Sequence, residues 1–184
     1  MSANHEKTSP PAIVCIVGPS DSGKTTFVEQ LIPELRASGL CVATVKHSMH
    51  GFDLDRSGKD TCRHKQAGAD ATVAACPGRI ALFRDVEEDM PLSEIAERYL
   101  SDADLVVAEG YKRDAYPKIL VTNPAAADKP LPLGDGPILA TVRLGTAPPG
   151  ERPRFRDEDV RTVARKLIAH FDLGGEKTSR TAAC

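Results

Sequence analysis

The feature that most constrains the fold is an eight-residue segment, GPSDSGKT, which lies between an apolar run and an amphipathic run. The run before it, AIVCIVG at residues 12–18, is apolar throughout and is typical of a strand buried on both faces of a parallel sheet. The run after it spaces Phe27, Leu31 and Leu35 along one face of a helix. With a further strand at residues 40–46, these runs predict a β–α–β unit with a right-handed crossover.

The rest of the chain continues the alternation of strands and helices. A short helix is expected at about residues 60–67, and two strands, ATVAAC and RIALFR, flank a turn at Pro77–Gly78. The last helix is expected to take Asp157 as its N-cap. The order β-α-β-α-β-β-α-β-β-β-α predicts an α/β fold with a mostly parallel sheet flanked by helices and an inserted antiparallel β-hairpin.

Length and composition narrow the classes of function. At 184 residues we expect one folded domain at 12–173, between a flexible arm (1–11) and a disordered tail (174–184). The net charge of −2 argues against a nucleic-acid partner, and no apolar run is long enough to span a membrane. The first residues lack the apolar core of a secretory signal. The five cysteines form no C-x-x-C pair, so we expect reduced thiols, a cytoplasmic location and no structural zinc.

The segment GPSDSGKT matches the phosphate-loop pattern G-x-x-x-x-G-K-[ST]. Backbone N–H groups of such a loop point at phosphate oxygens, and the following helix adds the positive end of its dipole. Lys24 is expected to reach the β- and γ-phosphates, and the Thr25 hydroxyl to bind Mg²⁺. This pattern between a strand and a helix predicts a P-loop NTPase-type nucleotide-binding domain. The predicted phosphate-binding residues are Gly18, Pro19, Ser20, Asp21, Ser22, Gly23, Lys24, Thr25 and Thr26.

A P-loop site also needs acidic residues near Mg²⁺, supplied from the carboxyl edge of the sheet, where parallel strands end. The strand in DLVVAEG ends at Glu109, which we predict to bind Mg²⁺ directly or through water, or to orient the attacking water. Asp104 begins that strand and stands at the wrong edge. Asp53 and Asp55 follow the second strand at the carboxyl edge, and Asp53 is preferred. The predicted catalytic residues are Lys24, Glu109 and Asp53, and the predicted metal ligands are Thr25, Asp53 and Glu109.

Two histidines stand in the same polar stretch, KHSMHGFDLDRSGKD. Imidazole suits transition metals, so His47 and His50 raise the alternative of a zinc or nickel site. A closed zinc site needs four good ligands, and no cysteine is close in sequence. We therefore favour polar contacts within a nucleotide or cofactor pocket, with solvated histidines as the next alternative.

Three segments together resemble the family of molybdopterin-guanine dinucleotide biosynthesis adaptor proteins, protein B (MobB). They are GPSDSGKTTF, VKHSMHGFDLDRSGKDTCRHKQAGA and DLVVAEGYKRDAYPKI, and the resemblance runs from about Ile13 to Val142. The middle segment is the specific one, because many families share the phosphate loop. The resemblance implies a homodimer that binds GTP with Mg²⁺ and hydrolyses it weakly. It also implies molybdopterin and a molybdopterin guanylyltransferase of the MobA type as partners, together with molybdoenzymes that receive the cofactor.

The resemblance also assigns residues outside the phosphate loop. Lys59 and Arg63 become candidates for binding phosphate or pterin phosphate, because arginine offers a planar fork of donors. Lys112 and Lys118 are expected at the carboxyl edge or its approach, with Lys112 in the cofactor-binding set. The alternatives are a surface ion pair for Arg63 and solvated side chains for the two later lysines. An exposed edge strand in the inserted hairpin fits the implied dimer.

Two features depart from what the resemblance implies, and they leave the base preference between GTP and ATP open. The guanine-reading motif N-K-x-D is absent from the sequence. Arg143 stands where members of the family tend to carry an acid, and arginine cannot accept a hydrogen bond from guanine. Two other functions stay open as well: a P-loop small-molecule kinase with Asp53 as base, and a metallochaperone GTPase that uses the histidines.

Overall fold

The computed structural model describes residues 9–48, 51, 59–123, 131–147 and 153–174. Within them, strands and helices follow the predicted order. The chain forms two compact units, the first from Met1–His47 and Leu92–Cys184 and the second from Ser48–Pro91. The elements are β1 (Ala12–Val17), α1 (Lys24–Ala37), β2 (Val42–Lys46), α2 (Asp60–Gln66), β3 (Ala71–Cys76), β4 (Arg79–Arg84), α3 (Leu92–Tyr99), β5 (Leu105–Glu109), β6 (Lys118–Thr122), β7 (Ile138–Arg143) and α4 (Asp157–His170).

Five parallel strands form the sheet of the first unit, in the order β2-β5-β1-β6-β7. The central strand β1 pairs with β5, where Ile16 lies opposite Glu109, and with β6, where Cys15 lies opposite Lys118. Because the strands are parallel, β2, β5 and β1 all end at one carboxyl edge. The predicted α/β fold of the P-loop NTPase type is confirmed.

Helices pack on both faces of this sheet because its central strands are apolar on both. Val14 and Ile16 of β1 belong to a buried cluster with residues of α1 and α4. Ile13 and Val17 point the other way and join a cluster with residues of α3. Pro33 lies inside α1, as expected, and the helix continues to Ala37. The centre of the sheet is thereby fixed, and the loop after β1 starts from a rigid strand.

The second unit contains α2 and a two-stranded antiparallel sheet of β3 and β4, so the predicted hairpin is confirmed. Its turn at Pro77–Gly78 places Gly78 at φ 77°, a left-handed conformation that glycine adopts without strain. Val73 lies opposite Leu82, and Ala75 opposite Ile80. Side chains two residues apart share a face of a strand, so these four form one apolar face.

One local prediction is wrong. Asp157 is not the N-cap of α4 but its first helical residue, and Arg156 precedes it in an extended conformation. The Arg156 guanidinium bonds to the Asp159 carboxylate at 2.9 and 3.0 Å, which ties the entry of the helix to its first turn. Cys15, Cys62 and Cys76 are free thiols. No helix in the described ranges is long and apolar enough to cross a membrane.

Candidate functional site

The loop between β1 and α1 is fitted closely to the sheet. A Cβ on Gly18 would lie 2.2 Å from the Val121 carbonyl oxygen, so only glycine fits there. Gly23 adopts φ 93°, and α1 begins at the next residue. The side-chain amide of Asn123, just after β6, donates to the Asp21 carbonyl oxygen at 3.2 Å. The loop therefore has the strand-to-helix setting that the motif requires.

Lys24 places its ammonium group within this loop. Its Nζ donates to the carbonyl oxygens of Gly18 at 3.2 Å and of Pro19 at 2.7 Å. Burial lowers the pKa of Lys24 below its ordinary value of 10.5, while the carboxylates of Glu109 and Asp21 act in the opposite direction. The loop thus holds a partly desolvated cation, which is suited to binding an anion.

Glu109 lies between a hydroxyl and an ammonium group at the carboxyl edge. The Thr25 hydroxyl donates toward its two carboxylate oxygens at 3.1 and 3.2 Å. The Lys46 Nζ lies 3.4 Å from Glu109 Oε1, and the two residues are register neighbours in β2 and β5. The Glu109 side chain is only 16% exposed, whereas that of Lys46 is 64% exposed. A largely enclosed carboxylate therefore faces an exposed ammonium group and a hydroxyl.

Hydrogen bonds tie the backbone around Glu109 to the neighbouring strands at the carboxyl edge of the sheet. His47 donates its N–H to the Glu109 carbonyl oxygen at 3.1 Å, and Gly110 donates to the Ile16 carbonyl oxygen at 3.1 Å. Gly110 has φ 106°, and a Cβ there would lie 3.3 Å from the His47 Cβ. The ring of His47 packs against Tyr111 with centroids 5.0 Å apart. These contacts fix the direction in which the chain continues from Glu109 at the end of β5.

A cavity of about 560 Å³ opens over these residues. Hard oxygen donors of the Thr25 and Glu109 type fit Mg²⁺, which keeps several of its waters and needs few protein ligands. Among the described residues, no group of three or more His, Cys, Asp or Glu side chains could hold a metal ion. The cavity is lined by Ser20, Asp21, Gly23, Lys24, Thr25, Thr26, Lys46, Glu109, Leu144 and Pro153.

The structure brings together only part of the predicted site. Ser20, Asp21, Gly23, Lys24, Thr25, Thr26 and Glu109 line the cavity, whereas the predicted Gly18, Pro19 and Ser22 are not among its lining residues. Burial and, to a lesser degree, the charges of Lys46 and Lys112 lower the pKa of Lys24. Asp53, Asp55 and His50 lie outside the described residues.

The other predicted basic residues are Lys59 and Arg63 of the second unit and Lys118 of the first. Lys59 precedes α2 in the second unit, and Arg63 forms an exposed 3.7 Å pair with Asp60 on that helix. Lys118 is fully buried at the amino end of β6, so its predicted place at the carboxyl edge, and the solvated alternative, are both wrong. Its Nζ donates to the carbonyl oxygens of Asp114 and Tyr116.

Sequence reasoning missed three residues that line the cavity: Lys46, Leu144 and Pro153. Lys46 is the last residue of a predicted strand, so its place at the carboxyl edge could have been predicted. Its contact with Glu109 could not, because that contact depends on β2 lying beside β5. Leu144 directly follows β7, and its N–H donates to the Thr122 carbonyl oxygen at 2.9 Å. No local sequence pattern indicates that Leu144 or Pro153 would line a cavity.

Comparisons of the sequence and of the fold with known proteins point to the same family. The sequence model of the family described as molybdopterin guanine dinucleotide synthesis protein B matches residues 13–143. The molybdopterin-guanine dinucleotide biosynthesis adapter protein of Haemophilus influenzae is 40% identical over 128 residues, which are 69% of this chain and 71% of that protein. That of Escherichia coli is 37% identical over 114 residues, 60% of this chain and 65% of that protein. A crystal structure of molybdopterin-guanine biosynthesis protein B shares 33% identity at a TM-score of 0.64, covering 87% of this chain and 99% of its own.

A parallel sheet whose central strand runs into a G-x-x-x-x-G-K-T loop at the start of a helix defines a P-loop NTPase-type protein. The extent of the family match and the identity to the Haemophilus protein then narrow this class. The chain belongs to the MobB family of molybdopterin-guanine dinucleotide biosynthesis adapter proteins. The resemblance drawn from the three sequence segments is confirmed.

Proposed function

We propose that the protein is a GTP-binding adapter that assists the conversion of molybdopterin to its guanine dinucleotide form. The observation that carries this proposal is one cavity that combines the phosphate loop, the Lys24 ammonium and the Thr25–Glu109 pair. Family membership supports the pathway. The proposal keeps the cytoplasmic location expected from the sequence.

Binding of the phosphates follows from charge and backbone geometry. The amino end of α1 and the backbone N–H groups of Ser20, Asp21 and Gly23 would offer partial positive charge to phosphate oxygens. Pro19 has no N–H, and that of Ser22 donates to the Pro19 carbonyl oxygen at 3.3 Å. Lys24 would exchange its two loop carbonyls for β- and γ-phosphate oxygens, which are stronger, charged acceptors. This exchange would also relieve the desolvation of its ammonium group.

Thr25 and Glu109 would hold Mg²⁺ together with Asp53, and the bound ion would neutralise charge on the β- and γ-phosphates. To admit the ion, Glu109 has to give up its contact with Lys46, whose long exposed side chain is free to turn toward phosphate. Hydrolysis is proposed to be slow, because P-loop proteins that lack an arginine finger stabilise the transition state incompletely.

A partner enzyme would use the bound nucleotide. We propose a molybdopterin guanylyltransferase of the MobA type, with molybdopterin itself and molybdoenzymes as further partners. Lys59, Arg63 and Lys112 remain the proposed contacts to phosphate or pterin phosphate. The adapter is proposed to act as a homodimer in which the apolar face of the β3–β4 hairpin is covered.

A nucleotide titration tests this proposal. GTP and ATP are titrated with and without Mg²⁺ into the wild type, into Lys24→Ala and into Lys166→Ala, an exposed lysine of α4 that serves as control. We expect Mg²⁺-dependent GTP binding that Lys24→Ala lowers by about 100-fold or more, since a charged contact is lost. Lys166→Ala should bind as the wild type does. Equal affinity for GTP and ATP would contradict guanine delivery, and no binding to either would contradict the nucleotide site.

A further inference from the structure

The Lys46–Glu109 pair and the apolar residue Leu144 of the cavity lining come from opposite sides of β1. Lys46 and Glu109 end β2 and β5, which lie on one side of β1 in the sheet. Leu144 follows β7 at the opposite end of the strand order, and with Pro153 it supplies the apolar lining. The strand order therefore places the Lys46–Glu109 pair and Leu144 on opposite sides of β1.

The apolar side is held in place by α1. The Gln30 side chain makes two hydrogen bonds to the backbone of Phe155: its Oε1 accepts from the N–H at 3.0 Å, and its Nε2 donates to the carbonyl at 3.2 Å. The Phe155 ring packs edge-on against Phe27 with centroids 5.1 Å apart. Gly145 donates its N–H to the Arg154 carbonyl oxygen at 3.1 Å, which joins Leu144 to the same wall.

This wall also touches the phosphate loop itself. A Cβ built on Gly23 would lie 3.0 and 3.1 Å from the Cδ atoms of Leu144 and 3.4 Å from the Cζ of Phe155. Leu144 and Phe155 are both buried. Gly23, the residue just before the helix, and the two wall residues are therefore packed against one another, and a shift of the wall changes the cavity next to the loop.

We infer that Leu144 and Pro153 form the nucleoside subsite of this cavity, and that Gln30 is the positioning residue that holds it against the phosphate loop. The inference rests on the proposed nucleotide binding. The terminal phosphate and its cation belong beside Lys46 and Glu109, where the charges are. The nucleoside end of the same ligand then extends to the other side of β1, where an apolar wall suits the face of a nucleobase.

Inorganic tripolyphosphate is the probe that separates the two sides, because it carries the phosphates without a nucleoside. GTP and tripolyphosphate are each titrated with Mg²⁺ into the wild type, Gln30→Met and Pro153→Ala. The control is Glu29→Ala, an exposed position on the same helix. Gln30→Met keeps the length of the side chain and removes both hydrogen bonds. We expect it to weaken GTP binding about fivefold and to leave tripolyphosphate binding within about twofold, which is the scatter expected for distant sites.

The other variants separate direct from indirect effects. Pro153→Ala removes apolar lining from an exposed position and should lower GTP affinity alone, whereas Glu29→Ala should change neither affinity. Gln30→Glu keeps the acceptor for the Phe155 N–H, so it should fall between the wild type and Gln30→Met. If Gln30→Met weakens GTP and tripolyphosphate equally, Gln30 is merely structural and the inference is wrong. It is also wrong if the wild type binds both ligands equally well, since the nucleoside then contributes nothing. A wild type that binds neither ligand contradicts the proposed function itself.

Discussion

Thr25 and Glu109 stand 84 residues apart in the chain, and the hydroxyl of one donates to the carboxylate of the other at 3.1 Å. Thr25 belongs to the first turn of α1 and Glu109 is the last residue of β5. The pairing of β1 with β5 fixes their separation, since Ile16 and Glu109 are register neighbours. The sheet thus arranges these two oxygen donors before any ligand arrives, which would lower the cost of ordering them around the proposed Mg²⁺.

Removing the charge of Glu109 should uncouple nucleotide binding from Mg²⁺. Glu109→Gln keeps the size of the side chain and an acceptor for Thr25, but it loses the anionic ligand. We expect the gain in GTP affinity from Mg²⁺ to fall about tenfold, a typical cost of one lost charged contact. Isothermal titration with and without Mg²⁺ measures this gain. Without Mg²⁺ the variant should bind GTP at least as tightly as the wild type, because a carboxylate repels phosphate; an unchanged Mg²⁺ gain in the variant would contradict the role of Glu109.

The ammonium of Lys24 should impose a pH dependence on stability. Its pKa is lower in the folded protein than the ordinary 10.5, so the unfolded chain holds the proton over a window just below 10.5 in which the folded protein releases it. Stability contributed by this group therefore rises as the pH increases through that window. Urea unfolding of wild type and Lys24→Met across this range should show a free-energy difference that moves in favour of the wild type. A difference that stays flat, or moves the other way, would show that burial does not dominate at Lys24.

Much of the fold is predictable because its signals are local. The apolar runs, the helical spacing of Phe27 and Leu31 and the Pro77–Gly78 turn each specify their own element. The phosphate loop is predictable for the same reason, since its glycines and Lys24 act within eight residues. The position of Glu109 was predictable because it ends an apolar strand, and strands of a parallel sheet all end at the carboxyl edge, where ligands bind.

The other half of the site depends on neighbours that local patterns do not encode. Lys46 reaches Glu109 only because β2 lies beside β5, and Leu144 reaches Gly23 only because β7 ends the strand order. The burial of Lys118 could not be predicted, because a lysine at a strand terminus is normally solvated. Its burial depends on carbonyl groups that the Asp114–Tyr116 turn directs at it, and a sequence pattern does not show such a turn.

The buried Lys118 should be a determinant of stability. Lys118→Met leaves the carbonyl groups of Asp114 and Tyr116 without this donor while filling a similar volume. We expect the free energy of unfolding to fall by about 1–3 kcal/mol, the cost of an unsatisfied buried polar group. Faster amide hydrogen exchange in residues 111–117 should accompany the loss. Lys166→Met, at an exposed position of α4, is the control and should change neither quantity. A more stable Lys118→Met protein would mean that desolvation of the ammonium outweighs its two hydrogen bonds.

The apolar face of the β3–β4 hairpin should carry the proposed dimer. Ile80 is 78% exposed and Val73 is 59% exposed in the single chain, and the pairing of the strands places both on one face. Monomeric proteins seldom leave such neighbours uncovered. Ile80→Lys introduces a charge on this face, and we expect it to weaken self-association at least tenfold, because burying an unpaired ammonium is costly.

Sedimentation equilibrium at micromolar concentration measures the monomer–dimer constant of the wild type and of Ile80→Lys. Glu87→Lys is the matched control, since it makes the same residue at an exposed position just beyond β4 and leaves the apolar face intact. A dimeric wild type, a dimeric Glu87→Lys and a largely monomeric Ile80→Lys are expected, with thermal unfolding showing that the last remains folded. A wild type that sediments as a monomer, or an Ile80→Lys protein that associates as strongly as the wild type, would place the dimer contact elsewhere or remove it.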